Sequence, residues 1–214
     1  MPEVEVLAQP VELIGECNTG GCLEFALHLH KAVMDRKYRV GASIMPTPVT
    51  LADWRAEHRT ARKRADRCER MGYRFSQVDY SLYADDMYAI NTSLPTRQGR
   101  PMSDGYLQRV ERGKLPDYPC AAHRTITYGV LSGRTLVAYM TLHRSSEFAM
   151  VSMILGHGDR LRDDVMYLLF AGMVDDQAGH GGILYYNRWD SGREGLRFYK
   201  TRVGFAEGNV EWVL

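Results

Sequence analysis

From Arg124 to Leu214, stretches suited to strands and stretches with helical spacing alternate in an order that few folds can accommodate. Residues 126–131 and 135–143 flank Ser132-Gly133-Arg134, the composition of a tight turn joining two antiparallel strands. A third strand over 147–155 runs directly into Gly156-His157-Gly158-Asp159. Asp163 or Asp164 then caps a helix with the stripe Val165, Leu168, Leu169, Gly172 and Val174, which Gly179–Gly182 ends. A strand over 183–187, a helix over 191–202 and a closing strand over 210–214 complete the order. A hairpin requires antiparallel neighbours, whereas strand–helix–strand passages act as crossovers. The predicted class is therefore α/β (α+β), a mixed twisted sheet flanked by helices.

Upstream, helical spacing recurs over 22–35, and a strand over 38–45 stops at Pro46 and Pro48. Thr50 opens the clearest helix, predicted over 51–71, with Leu51, Trp54, His58, Ala61, Ala65 and Cys68 on one stripe and Gly72 closing it. A strand over 75–78 follows, then a helical stretch with Asp86 as its N-cap. Pro95, Gly99 and Pro101 force a loop carrying Arg97, Gln98 and Arg100; a helical turn and a loop fill 103–120. At 214 residues a single domain over 1–214 is expected, with 1–49 its least patterned part.

The 27 basic and 26 acidic side chains nearly cancel, so total charge points to no polyanionic partner. The helix over 51–71 departs from that balance. Arg55, Arg59, Arg62, Lys63, Arg64, Arg67 and Arg70 stand against Glu57, Asp66 and Glu69. Such a face is either simply solvated or a surface for phosphates. Cys17, Cys22, Cys68 and Cys120 form no CxxC pair, and His28 and His30 are the only further ligands near the first two. Free thiols in a reducing compartment are expected, with no metal. The acidic start at Met1–Val6 and the lack of a span-length apolar run predict a cytoplasmic protein without a membrane span.

The element order and three stretches within it resemble the GNAT acyltransferase fold, in its Fem-type, aminoacyl-transferring branch. The first stretch is Trp54–Arg64 continuing through Glu69-Arg70-Met71-Gly72, and the second is Tyr88 to Met102, with Arg97-Gln98-Gly99-Arg100-Pro101 inside it. The third runs Trp189-Asp190-Ser191-Gly192-Arg193-Glu194-Gly195-Leu196-Arg197-Phe198-Tyr199-Lys200 and on to Gly204-Phe205. Together they span roughly residues 50–214, room for one GNAT-like domain where Fem-type proteins commonly pair two. Met153 stands where the acyl-coenzyme A motif carries Arg or Gln.

The resemblance implies amide formation by direct attack of an amine on a bound ester or thioester. It places Lys200 at the reacting centre, where an ammonium stabilises an oxyanion or holds a phosphate, beside Tyr199 as proton donor. Asp190, with Asp86 and Glu194, would recognise the amine or accept its proton, and His157 is a further candidate base. Gly156, His157, Gly158, Arg188 and Ser191 would hold the donor. Arg55, Arg59, Arg62, Lys63, Arg97 and Arg100 would meet acceptor or RNA. Plainer roles stand beside these: a solvated Lys200, a packed Tyr199, a helix-capping Ser191.

Aminoacyl-tRNA is the leading donor and acyl-coenzyme A the alternative, with no tightly bound cofactor. The acceptor would be a small amine-bearing peptide, metabolite or carrier-bound group. A non-catalytic RNA-binding protein of the same fold is the third reading. A gap between the strands at 147–155 and 183–187, beside the glycine turn, would favour acyl-donor binding; a sealed junction would not.

Overall fold

The computed structural model describes residues 8–12, 41–109, 123–145, 148–190 and 194–213. The helix expected over 22–35, the first residues of the strand expected from Tyr38, the thiols Cys17, Cys22 and Cys120, and Ser191 lie outside the described residues. Ten strands are described: β1 (Ala8–Glu12), β2 (Ala42–Pro46), β3 (Tyr73–Gln77), β4 (Thr96–Arg97), β5 (Arg100–Pro101), β6 (Arg124–Ser132), β7 (Thr135–Ser145), β8 (Phe148–Gly156), β9 (Ile183–Arg188) and β10 (Ala206–Val213). The helices among them are α1 (Leu51–Glu57), α2 (Arg59–Arg70), α3 (Ala84–Thr92), α4 (Asp104–Leu107), α5 (Val165–Gln177) and α6 (Glu194–Val203).

Eight strands form one sheet in the order β1-β10-β2-β9-β8-β7-β6-β3, and β4 and β5 make a separate small hairpin. The β1–β10 and β8–β9 pairs are parallel, and the other pairs of the large sheet are antiparallel. This is the mixed, helix-flanked sheet expected from the element order.

The expected helix over 51–71 is two helices. Thr50 and Asp53 form a reciprocal capping box that fixes the start of α1. The chain then leaves helical geometry at His58 (φ −107°, ψ 54°) and resumes as α2. Buried Trp54 anchors α1 to the end of α6, its indole Nε1 donating to the Val203 carbonyl at 2.9 Å. The stripe Ala61, Ala65 and Cys68 of α2 is buried in the same core as Trp54.

Met71 is the last cap of α2, and Gly72 follows with φ +90°, donating its N–H to the Glu69 carbonyl. Asp86 does not cap α3. A 3-10 turn at Tyr80–Tyr83, capped by Asp79, feeds α3 from Ala84, and the Asp86 carboxylate accepts the Leu136 N–H of β7 at 2.9 Å.

α5 is buried almost all round, through Tyr167, Leu168, Leu169, Phe170, Ala171, Met173 and Val174, a wider apolar surface than the expected stripe. Each such fully buried large side chain contributes about 1.5–3 kcal/mol. Gly172 packs on Phe75 so closely that a Cβ would stand 2.2 Å from the ring, which brings α5 against β3. Among the described residues no helix is long and apolar enough to cross a membrane.

Candidate active site: a cleft between parted strands

β8 and β9 are paired only at Phe148–Met150 against Ile183–Tyr185. Both strands carry an irregularity just beyond that stretch. In β8, Ser152 is an extra residue opposite Thr141–Leu142 of β7. In β9, two residues, Tyr186 and Asn187, oppose Ser43 of β2, with Asn187 at φ +55°. Such bulges bend a strand and raise its twist. With both partners bent at the same level, β8 and β9 part toward their C-terminal ends.

The parted strands open a cavity of about 310 Å³. Ile154, Leu155 and Gly156 of β8 form one wall and Tyr186 of β9 another. Leu161 and Met166 close the side of α5; Gly195, Leu196 and Tyr199 that of α6; and Leu94, Thr96, Arg97 and Gln98 come from the β4–β5 region. The stretch read as loop is here a two-residue hairpin. Gln98 (φ 51°) and Gly99 (φ 75°) both take the left-handed conformation its tight turn requires.

Arg97 is the clasp of the site. Its Nη1 donates to the Gly156 carbonyl at 2.9 Å, and its Nη2 to the Ile90 carbonyl at 2.7 Å and Ser93 Oγ at 3.0 Å. Ser93 Oγ also accepts the Gly158 N–H at 2.9 Å. The end of α3 and the glycine turn are thus joined through one guanidinium and one hydroxyl. Burial draws the Arg97 pKa below its ordinary value.

The glycine junction, expected to hold the donor, does not lead straight into a helix. A 3-10 turn, Gly158–Asp163, intervenes before α5. Gly158 gives its N–H to Ser93, and His157 Nδ1 accepts the Asp159 N–H at 3.3 Å. Of the three, Gly156 lines the cleft. Asp164 precedes α5 with φ 65°, and its carboxylate accepts from Arg64 Nη1 at 2.9 Å and Arg67 Nη1 at 3.0 Å. The Arg64 guanidinium also lies 5.1 Å from the Tyr167 ring centroid. Two members of the basic helix face thus pin the start of α5.

The remaining basic residues sit apart. Arg59 and Lys63 are exposed and Arg62 half-buried on α2, while Arg100 is exposed on β5. Arg55 lies 3.7 Å from Asp66 and lines a second cavity, of about 490 Å³, with Glu69, Arg74 and Asp175. Of the six residues expected to meet acceptor or RNA, Arg97 alone lines the cleft.

The residues expected at the reacting centre are placed behind or beside it. Lys200 is buried, with Nζ donating to Ser43 Oγ at 2.9 Å and the Arg188 carbonyl at 2.5 Å. It stands 4.8 Å from the ring centroid of Tyr186, whose other surroundings include the cleft. Desolvation draws its pKa down to about 8, against a smaller opposing pull from Asp190. The ammonium ties α6 to β2 and β9 rather than facing a bound carbonyl.

Tyr199 lines the cleft, but its hydroxyl donates to the Met166 carbonyl at 3.0 Å, and burial raises its pKa well above the ordinary value. A phenol so held is a wall, not a ready proton donor. Arg188 grips Asp190 with both ends of its fork, Nε to Oδ1 at 2.8 Å and Nη2 to Oδ2 at 2.5 Å, on the exposed surface. That pairing holds the Asp190 carboxyl below its usual range. Glu194 is exposed at the start of α6, and Asp86 is committed to β7.

Sequence reasoning missed Ser93, Leu94, Met166 and Tyr186, whose contact with the cleft depends on how distant segments meet. Ser93 and Leu94, like Gly195 and Leu196, stood inside stretches already singled out, with no role given to them. Among the described residues no group of three His, Cys, Asp or Glu side chains could hold a metal.

No protein-family model and no curated protein matches the chain. Solved structures do show likenesses. One is the C-terminal DUF2156 domain of a protein described as a lysylphosphatidylglycerol synthetase from Agrobacterium fabrum, with 14% identity, TM-score 0.46, and 78% of this chain and 60% of that chain covered. Another is L-PGS from Bacillus licheniformis, with 12% identity, TM-score 0.44, and 79% and 58% covered. A third is a GCN5-related N-acetyltransferase from Kribbella flavida, with 12% identity, TM-score 0.40, and 64% and 48% covered. This chain thus spans between about half and three fifths of the length of each of these three.

Proposed function

We propose that the chain is a GNAT-type acyltransferase that binds its acyl donor in the cleft between β8 and β9 and passes the acyl group to an amine. The observation that carries this reading is the parting of two parallel strands beyond Met150 and Tyr185, with a cavity opening beside Gly156. Beyond that point no residue of β8 pairs with β9. An unpaired strand edge presents N–H and C=O groups that an extended, amide-bearing donor arm can bond. The same N–H groups can stabilise an oxyanion at the reacting carbonyl.

The donor is an acyl thioester. The amine lone pair attacks the thioester carbonyl carbon, the C–N bond forms and the C–S bond breaks. The proton lost by the nitrogen ends on the departing sulfur, so the products are an amide and a free thiol. The chain's own part is positioning. Arg97 and Ser93 hold the glycine turn, and the apolar walls exclude water from a bond that would otherwise hydrolyse.

Aminoacyl-tRNA is the second reading, favoured by Arg59, Arg62 and Lys63 on the basic helix α2. Substituting all three with Ala separates the two readings. Transfer from an acyl thioester to an amine, followed by mass spectrometry of the amide, should be unchanged in the triple variant and ribonuclease-resistant. Transfer that requires charged tRNA and fails in the triple variant would replace the thioester with RNA.

The test of the cleft itself is Gly195→Trp. A Cβ at Gly195 meets no atom within 4 Å, so a large side chain enters open space. Amide formation should be lost while the thermal midpoint is kept. Retained turnover would remove the cleft from the reaction.

A further inference from the structure

We infer that the cleft selects an uncharged, apolar acyl group longer than acetyl and rejects acyl groups that carry an amine. The inference rests on the donor-cleft reading above and concerns what that cleft accepts.

Three observations carry it. First, the walls are apolar over the stretch where an acyl chain would lie, with Leu155, Leu161, Met166 and Leu196 around it. Second, no Asp or Glu lines the cavity among the described residues, and Glu194, next to lining Gly195, is exposed outside it. Third, the one charged side chain on the wall among the described residues is the Arg97 cation. Two carbonyls and a hydroxyl hold it in place. The Gly156 carbonyl, an acceptor that an ammonium would seek, already takes a hydrogen bond from it.

An α-ammonium or a side-chain ammonium in this cleft would lose water, find no carboxylate and sit near a fixed like charge. Each of these disfavours it. An aliphatic chain meets none of those costs and covers apolar wall instead. At about 310 Å³ the cavity lies at the low end of small-molecule sites, which run from about 300 to 1,000 Å³. Beside a donor arm on the strand edge, a two-carbon acetyl group covers less of the apolar wall than a longer chain does.

The experiment is isothermal titration calorimetry of the whole chain with acetyl, octanoyl and ε-aminocaproyl thioesters. Each acyl group is carried on coenzyme A and, separately, on N-acetylcysteamine. Octanoyl thioesters should bind roughly 30-fold or more tightly than acetyl ones. The ε-aminocaproyl thioester, of similar length but ending in an ammonium, should bind at least about tenfold more weakly than octanoyl. Leu196→Glu, which puts a carboxylate on the wall, should reverse that second preference.

Equal binding of the three acyl groups, or a preference for the amine-bearing one, overturns the selectivity. If Gly195→Trp then abolishes all binding, the donor cleft stands without it. If no thioester binds, or Gly195→Trp leaves binding intact, the donor cleft falls, and the selectivity with it.

Discussion

The two halves of the β8–β9 boundary are made by the same pair of strands and behave in opposite ways. At Phe148–Met150 the strands are in parallel register, and the Phe148 and Tyr185 rings meet at 5.9 Å in a buried layer. From Val151 and Tyr186 onward the strands diverge, and the space between them is an open, apolar cleft. One extra residue on β8 and one on β9 make the difference. The comparison teaches that the closed half supplies rigidity and the open half supplies a ligand site, so substitutions in the two should separate stability from binding.

The largest effect belongs to the closed half. Phe148→Ala should cost about 3–5 kcal/mol, read by denaturant unfolding, because it leaves a cavity among buried neighbours. Leu196→Ala, on the half-buried cleft wall, should cost well under half as much. Similar losses would mean that the open half is as structural as the closed one.

Arg97→Met comes next. It removes three charge-assisted hydrogen bonds and should lower stability by about 2 kcal/mol, while also weakening octanoyl thioester binding as the Gly156 turn loosens. A stability loss with unchanged binding would make Arg97 a fold element only.

Lys200 gives a pH signature at the root of the open half. Its folded pKa of about 8 lies below the ordinary 10.5, so between those values the unfolded chain holds more protons. Its contribution must therefore make the fold more stable as pH rises through 8, by at most about 1.4 kcal/mol per unit. Cys68, raised from 9.0 to about 12 by burial, acts in the opposite sense once pH passes 9, as do the buried tyrosines above 10. The quantity to measure is the difference in unfolding free energy between the parent and Lys200→Met from pH 7.5 to 9. A flat difference would mean that the ammonium is not held as described. The smallest effect is Gly195→Ala, which should add about 0.5 kcal/mol by limiting the unfolded chain, with its methyl in open space.

The strands were far more legible in the sequence than the cleft between them. Residues 126–131 and 135–143 fall within β6 and β7 because their turn carries its own glycine, and β8 differs from its expected bounds by a single residue at each end. Local pattern sufficed there. It failed at His58, where no Gly or Pro marks the break between α1 and α2, one turn after Trp54 reaches Val203 across 149 residues. It failed at Asp86, whose carboxylate answers an N–H fifty positions away.

The cleft was illegible for the same reason. Neither Ser152 nor Tyr186 carries a bulge signature of its own, and the Arg97 clasp reaches 59 residues along the chain to Gly156. Lys200 was singled out through a motif, but its surroundings, Ser43 and the Arg188 carbonyl, come from strands the motif does not contain.

The position of β2 between β9 and β10 has a consequence for how the chain is made. Ala42–Pro46 is hydrogen-bonded on both edges to strands formed by residues 183–213. On a ribosome adding about 5–20 residues per second, this segment waits on the order of ten seconds for its partners. During that interval it is an unpaired strand with both edges open, competent to pair with a neighbouring chain. Completing the sheet closes loops that span most of the sequence, which places folding toward the slow end of single domains. The vulnerable moment of this molecule is therefore its synthesis, and its weakest segment then is one that ends enclosed on both edges.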